Sequence, residues 1–224
     1  MNNELVINAH PKSQVSEAIK TIRTNLQFSQ VDEKIKTILI TSSVSGEGKS
    51  FISSNLALAF AQNNLKVLLV DCDMRCGRIH EIFNLSNEKG LSNLLIDDIK
   101  KFNTYVQKTE YNNLFVLTMG SVPPNPTELL ASEKNKKLCE ELKSKYDLVI
   151  FDGVPMLDLT DSLVMAELVD RIVVISAYKQ TPVEMLKNTI KSLEAFRHKI
   201  AGVVVNKMPG SKSKYNHYNR YYNE

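Results

Sequence analysis

A chain of 224 residues has room for one α/β domain with appended ends, since domains commonly run to ~100 to 200 residues. Its 43% hydrophobic and 24% charged residues are the makeup of an ordinary globular protein, which excludes a disordered or collagen-like chain. The 28 basic and 25 acidic residues leave a formal charge of +3, too even a balance for a dedicated nucleic-acid binder.

Cys72, Cys76 and Cys139 show no CxxC spacing and no nearby histidine pair, which argues for reduced thiols over a disulfide framework or a chelated metal. No apolar run approaches the ~20 residues that cross a bilayer. The opening MNNELVINAH lacks the basic and apolar regions of a signal peptide. A cytoplasmic chain is expected, brought to a membrane only by another protein.

The first periodic stretch places Val15, Ala18, Ile19, Ile22 and Leu26 at helical spacing, with Glu17, Lys20 and Arg23 on a neighbouring polar face. Periodicity leaves two roles open: a helix docked on its own domain, or a charged contact to another subunit. Beyond it, short apolar runs rich in β-branched residues alternate with longer amphipathic stretches, the pattern of βα units around a buried parallel sheet. Strands are predicted over 35–41, 66–71, 113–118, 147–152, 171–176 and 200–206, and helices over 48–63, 127–144, 160–168 and 182–198.

The last segment, MPGSKSKYNHYNRYYNE, has almost nothing aliphatic to bury and is expected to be disordered. It nevertheless holds Tyr215, Tyr218, Tyr221 and Tyr222, half of the eight tyrosines in the chain. Large, partly apolar side chains placed where nothing packs them point to a role outside the fold. The expected division is an N-terminal segment over 1–30, a nucleotide-binding domain over 31–207 and a tail over 208–224.

The strand KTILIT runs into SSVSGEGKS and then a helix-like FISSNLALAFAQ, the context a P-loop needs. Gly46 and Gly48 let backbone approach phosphate, and the N–H groups of Ser45, Gly46, Glu47, Gly48, Lys49, Ser50 and Phe51 can converge on it at a helix start. Lys49 would reach the β- and γ-phosphates, and the Ser50 hydroxyl would bind Mg²⁺. Ser43 stands where the general GxxxxGK[ST] pattern has its first glycine. Two further strands end in acids, KVLLVDCD with Asp71 and Asp73, and DLVIFD with Asp152. Ligands bind at the carboxyl edge of an open parallel sheet, so these acids should meet the phosphate loop.

Together these pieces resemble the bacterial tyrosine kinases of the capsular and exopolysaccharide systems, in the form of the separate kinase subunits of Gram-positive bacteria. The matches are TSSVSGEGKS as Walker A, LLVDCDMR as the family's Walker A′, VIFD as Walker B, the segment GSVPPNPTELLAS, the N-terminal EAIKTIRTNL and the terminal tyrosine cluster. The resemblance implies a P-loop NTPase fold with ATP and Mg²⁺ as cofactors, autophosphorylation of the tail tyrosines, a membrane-embedded modulator, a cognate phosphotyrosine phosphatase and further protein substrates. It also implies a ring-shaped homo-oligomer joined through an ExxRxxR pattern, read here as Glu17, Lys20 and Arg23. Lysine at the middle position keeps the charge and loses bidentate geometry. The family further suggests Asn206 at the adenine or ribose edge.

Two more departures are FDGVP in place of the usual DTPP after Walker B, and Val44-Ser45 where the family often has proline. In the implied mechanism Lys49 and Mg²⁺ neutralise the γ-phosphate, Asp71 accepts the phenolic proton, and Asp73 and Asp152 position the metal. The competing readings are a switch ATPase of the ParA and MinD type, and a non-catalytic adaptor. The first is disfavoured by the tyrosine tail and the absence of a second lysine early in the P-loop, the second by the intact Lys49, Ser50 and acids.

Overall fold

The computed structural model describes residues 4–28, 34–157 and 160–209. A seven-stranded sheet runs through its middle, built from β1 (Thr37–Ser42), β2 (Val67–Asp71), β3 (Gln107–Lys108), β4 (Leu114–Leu117), β5 (Leu148–Pro155), β6 (Arg171–Ala177) and β7 (Ile200–Asn206). The order is β3-β4-β2-β5-β1-β6-β7, with every neighbouring pair parallel except β3 and β4.

Apolar residues run without interruption through the central strands because both faces of the sheet are covered. In β2, Val67 and Leu69 enter the core on one face, while Leu68 and Val70 enter the core on the other. The first face is covered by α1 (Val6–Ala9), α2 (Gln14–Phe28), α3 (Lys49–Ala61) and α4 (Ile79–Phe83). The second carries α5 (Leu91–Ile96), α6 (Pro126–Leu130), α7 (Glu133–Lys145), α8 (Asp161–Leu168) and α9 (Val183–Ser192).

α3 starts directly at the phosphate loop and lies between α2 and the sheet, so it is buried on nearly every side. Its Asn55 serves the N-terminal segment: Oδ1 accepts from the Ile7 N–H at 3.1 Å and Nδ2 donates to the Glu4 carbonyl at 2.8 Å. Removing that side chain would leave a buried amide without a partner. The helix that carries the phosphate site is thereby fixed to the start of the chain.

All six predicted strands are present, the last with the ends expected and the other five with at least one end shifted, and the two-residue β3 adds a seventh. β5 continues three residues past Asp152, so FDGV is sheet and not loop; a Cβ at Gly153 would fall 2.7 Å from Ser162 Oγ and 2.9 Å from Leu39 Cδ1, which only glycine avoids. The single helix predicted over 127–144 is two, because Ser132 caps α7, its Oγ accepting from the Asn135 N–H at 3.2 Å. The helix predicted over 182–198 ends at Ser192 and gives way to a 3₁₀ segment, Glu194–Lys199.

On α2, Ile19 and Leu26 are buried and Ile22 packs against the core, but Val15 and Ala18 are exposed. The docked stripe is narrower than its periodicity suggests. The tail from residue 210 onward lies outside the described residues, and with it Tyr215, Tyr218, Tyr221 and Tyr222.

Candidate active site

The carboxyl edges of β1, β5 and β2 lie side by side, which brings the P-loop, Asp152 and Asp71 together. Gly46 and Gly48 have φ of 80° and 96°, a backbone region that disfavours side chains. At Gly48 a Cβ would also lie 2.2 Å from Asn206 Nδ2. Ser43 adopts no such φ, so the missing glycine is not needed there. Its buried hydroxyl accepts from Thr189 of α9 at 2.8 Å.

Glu47, expected to offer its N–H group to phosphate, turns its side chain inward. Oε2 accepts from the Val44 N–H at 2.7 Å, and Oε1 accepts from the Ala177 N–H at 3.1 Å and from the Thr181 hydroxyl. The carboxylate braces the loop against the end of β6, and only the Glu47 backbone remains for phosphate. Asn206 braces the same loop from β7, where Nδ2 donates to the Glu47 carbonyl at 2.8 Å and Oδ1 accepts from the Lys207 N–H at 2.8 Å. Lys207 Nζ donates to the Gly46 carbonyl at 2.7 Å. Phe51 packs its ring against the core beneath α3, so its contribution is likewise backbone alone. Ser45 and Gly46 are exposed, Lys49 is buried at the first turn of α3, and Ser50 is half-buried beside it.

Asp71 and Asp152 are register partners across β2 and β5. Burial, and then the charge of Asp152, push the Asp71 carboxyl well above the usual range. Asp152 is pushed up to about 6 by burial, against the opposing pull of the Ser50 hydroxyl, Lys49 and Ser53. Its Oδ1 accepts from Ser53 at 2.7 Å, while Oδ2 is buried with no hydrogen-bond partner among the described residues. Asp71 is wholly buried: Oδ1 accepts from the Asp73 N–H at 3.2 Å and Oδ2 from the Ile79 N–H at 3.1 Å. The turn over residues 73–79 passes so close that a Cβ at Gly77 would sit 2.5 Å from both of its oxygens. Asp73, half-buried, caps that turn: Oδ1 accepts from the N–H groups of Arg75 at 3.2 Å and Cys76 at 2.9 Å.

Of the three acids expected to meet the phosphate loop, Asp71 is the one whose two oxygens are both engaged by the turn that folds back over it. Among the described residues no three His, Cys, Asp or Glu side chains converge as a metal cage. The donor set suits Mg²⁺ nonetheless, an ion held by one or two carboxylates together with substrate phosphates and water. A carboxylate oxygen with no hydrogen-bond partner among the described residues, next to the Walker A serine, is the ligand such an ion needs.

Glu17 is exposed on α2 and pairs with Lys20 at 2.7 Å, and Lys20 Nζ also donates to the Pro11 carbonyl at 2.9 Å. Arg23 is half-buried and donates to the Ala59 carbonyl of α3 at 3.0 Å. All three have partners within their own chain, but only Arg23 reaches across to α3, while Glu17 and Lys20 pair with each other on the exposed side. One group that sequence reasoning missed is the contact of Arg75 with Thr127 and Asp161. Arg75 and Thr127 stand inside LLVDCDMR and NPTELL, which marked them as unusual without showing that they meet.

Fold and site define a P-loop nucleotide-binding protein, and residues 35–203 match the family model described as an AAA domain. The chain is 40% identical over 221 residues to the putative tyrosine-protein kinase CapB of Staphylococcus aureus, covering 98% of this chain and 95% of that one. It is 38% identical over 219 residues to the tyrosine-protein kinase YwqD of Bacillus subtilis, covering 97% and 92%. Among solved structures, the chimerical protein CapA2B2 superposes with a TM-score of 0.88 at 38% identity, covering 93% of this chain and 91% of that one. The likeness to MinD of Pyrococcus horikoshii, with a TM-score of 0.63 at 20% identity over 79% of this chain and 72% of that one, is one of fold alone. The chain belongs to the bacterial tyrosine-protein kinase family, and it is an enzyme of that class.

Proposed function

We propose that the chain uses ATP with Mg²⁺ to phosphorylate Tyr215, Tyr218, Tyr221 and Tyr222 of a neighbouring copy, and that this cycle regulates capsular or extracellular polysaccharide synthesis. The observation that carries the reading is Asp152 Oδ2, a buried oxygen with no hydrogen-bond partner among the described residues, close to Ser50 and Lys49. Ser50 and Asp152 would hold Mg²⁺, with Asp71 adding negative charge from beneath. When bound, the ion neutralises charge on the transferring phosphoryl group. Lys49 and the N–H groups of residues 45–51 bind the phosphates and orient them.

The acceptor phenol, with an ordinary pKa of ~10, needs a group to take its proton as oxygen bonds to the γ-phosphorus and the bond to ADP breaks. We assign that role to Asp73 rather than Asp71. Asp71 is sealed beneath the turn with both oxygens engaged, whereas Asp73 is partly open.

Assembly through Glu17, Lys20 and Arg23 into a ring would bring each tail within reach of a neighbour, since an extended chain spans ~3.3 Å per residue. Each phosphate adds about −1.5 to −2 charges, so a phosphorylated tail would be repelled by the acids of the site and the ring would loosen. A phosphotyrosine phosphatase would reset the cycle. The family resemblance supports a membrane-embedded modulator that would bring the chain to the membrane, with other proteins as additional substrates.

The test mixes a Lys49→Met protein having an intact tail with an active protein whose four tail tyrosines are phenylalanine. Phosphotyrosine on the inactive partner, read by mass spectrometry, is the expected result. Its absence, with co-assembly demonstrated and wild type labelling itself, would rule out transfer between copies.

A further inference from the structure

Three segments far apart in sequence meet beside the acidic side of the site: Arg75 in the turn after β2, Thr127 in α6 and Asp161 at the first position of α8. The Arg75 guanidinium pairs with Asp161 Oδ2 and reaches Thr127 Oγ1 at 3.4 Å, while the Thr127 hydroxyl donates to Asp161 Oδ1 at 2.5 Å. Asp161 is 1% exposed. A carboxylate so buried is tolerable only while its partners stay in place, which distinguishes this pair from an ordinary surface ion pair.

Each end of the network leads to an acid of the site. At one end, the Arg75 N–H caps Asp73 Oδ1, and the Gly77 N–H donates to the Asp73 carbonyl at 2.8 Å, so fixing the guanidinium fixes the turn that presents Asp73. At the other, Ser162 follows Asp161; its hydroxyl donates to the Val154 carbonyl at 2.7 Å and accepts from the Val154 N–H at 3.0 Å. Val154 lies on β5, two residues beyond Asp152.

We propose that Arg75, Thr127 and Asp161 form a positioning network that holds Asp73 in fixed relation to Asp152, and that the segment GSVPPNPTELLAS serves in part to supply Thr127. Among the described residues the three side chains bond to one another and not to the phosphate loop; they act through Asp73. The proposal rests on the roles assigned above to Asp73 and Asp152.

In the full chain, Thr127→Val and Asp161→Asn should each lower the rate of phosphotyrosine formation at saturating ATP by about 10-fold to 100-fold, the range expected when a reacting group is displaced by about an ångström. Affinity for a fluorescent ADP should stay at the wild-type value. Thr127→Ser, which keeps the hydroxyl, should restore the rate. The double variant should be no slower than its slower parent, because members of one unit are not additive. In metal-free, nucleotide-free protein, amides of residues 73–79 should exchange with deuterium faster in Thr127→Val than in Thr127→Ser.

Should Asp161→Asn fail to fold, the Thr127 pair carries the test alone, valine matching threonine in shape. Equal rates in Thr127→Val and Thr127→Ser, or ADP affinity falling in step with rate, would overturn the network. Asp73→Asn belongs in the same series: a wild-type rate there would overturn the role of Asp73 and the network with it. A slow Asp73→Asn beside fast Thr127→Val and Asp161→Asn would overturn the network alone.

Discussion

The two halves of the site are prepared in opposite ways. On the phosphate side, Glu47, Asn206, Lys207 and the Ser43–Thr189 pair saturate the loop with hydrogen bonds before any ligand arrives. On the acidic side, Asp71 and Asp152 are buried neighbours, each carboxyl held above its usual range, and one oxygen has no hydrogen-bond partner among the described residues. The phosphate side is preorganised, which lowers the ordering that binding requires. The acidic side is electrostatically uncomfortable, which a cation relieves. Rigidity can be built from backbone and neutral groups, but a cation site needs charges that repel one another when it is empty.

The largest expected effects come from removing the charges that face the ligand. Lys49→Met should abolish phosphotyrosine formation while leaving the fold intact, since methionine keeps an unbranched side chain of similar size. Asp152→Asn should lower the rate at least ~100-fold, the order associated with loss of a metal-positioning or proton-handling group. Quantitative anti-phosphotyrosine blotting of purified protein with MgATP measures both. Substantial label in a cleanly folded Lys49→Met protein would remove the phosphate side from the chemistry.

The next effect tests the brace. Glu47→Ala takes the acceptor from the Val44 N–H and the Thr181 hydroxyl, while the Ala177 N–H keeps Thr181 Oγ1 at 3.2 Å; at ~1–3 kcal/mol for each group left unsatisfied, a loss of about 2 kcal/mol is expected with reduced ADP affinity. Glu47→Gln, which retains one carbonyl oxygen, should lose less on both counts. Thermal melts and fluorescent-ADP titration measure the pair. If Glu47→Ala kept wild-type ADP affinity, the phosphate side would not depend on its preorganisation.

Much of this arrangement was legible in the sequence because the informative parts are local. KTILIT followed by SGEGKS and an apolar helix places Lys49 and Ser50 without further help, and acids ending apolar strands place Asp71 and Asp152 at one edge. What stayed hidden depends on contacts distant in the chain. Nothing near Glu47 indicates that its carboxylate is taken by Ala177 and Thr181, and nothing near Asp71 indicates that the turn over 73–79 folds down and seals it. Asp161 looked like an ordinary residue opening a helix until Arg75 and Thr127 arrived beside it. α4 and α5, with five and six residues, complete too few turns to display a helical period. The break at Ser132 had a local signal, a capping serine, outweighed by the apolar pattern around it.

The smallest expected effect is a pH dependence of stability that belongs to the acidic side alone. Asp152 in the folded protein holds its proton up to about 6, well above the ordinary carboxyl value of 3.8, and Asp71 is shifted in the same direction. The folded state therefore binds protons more tightly than the unfolded chain between those values, and metal-free protein should gain stability as pH falls through about 6, losing it again as pH rises. Asp97 and Glu133, held below their usual range by partners on the surface, work in the opposite sense, but only near and below ~4. The window from pH 7.5 to 5.5 is thus left to the buried pair and to groups that any variant shares. Calorimetry in a chelating buffer should show wild type gaining about 2–4 °C over that window relative to Asp152→Asn, the shift that ~1 kcal/mol produces in a chain of this size. Excess Mg²⁺ with ADP should erase the difference, since a bound cation keeps both carboxylates ionised. Parallel melting curves for wild type and Asp152→Asn across the window would mean that the empty site stores no repulsion, and the contrast between its two halves would then be one of hydrogen bonding only.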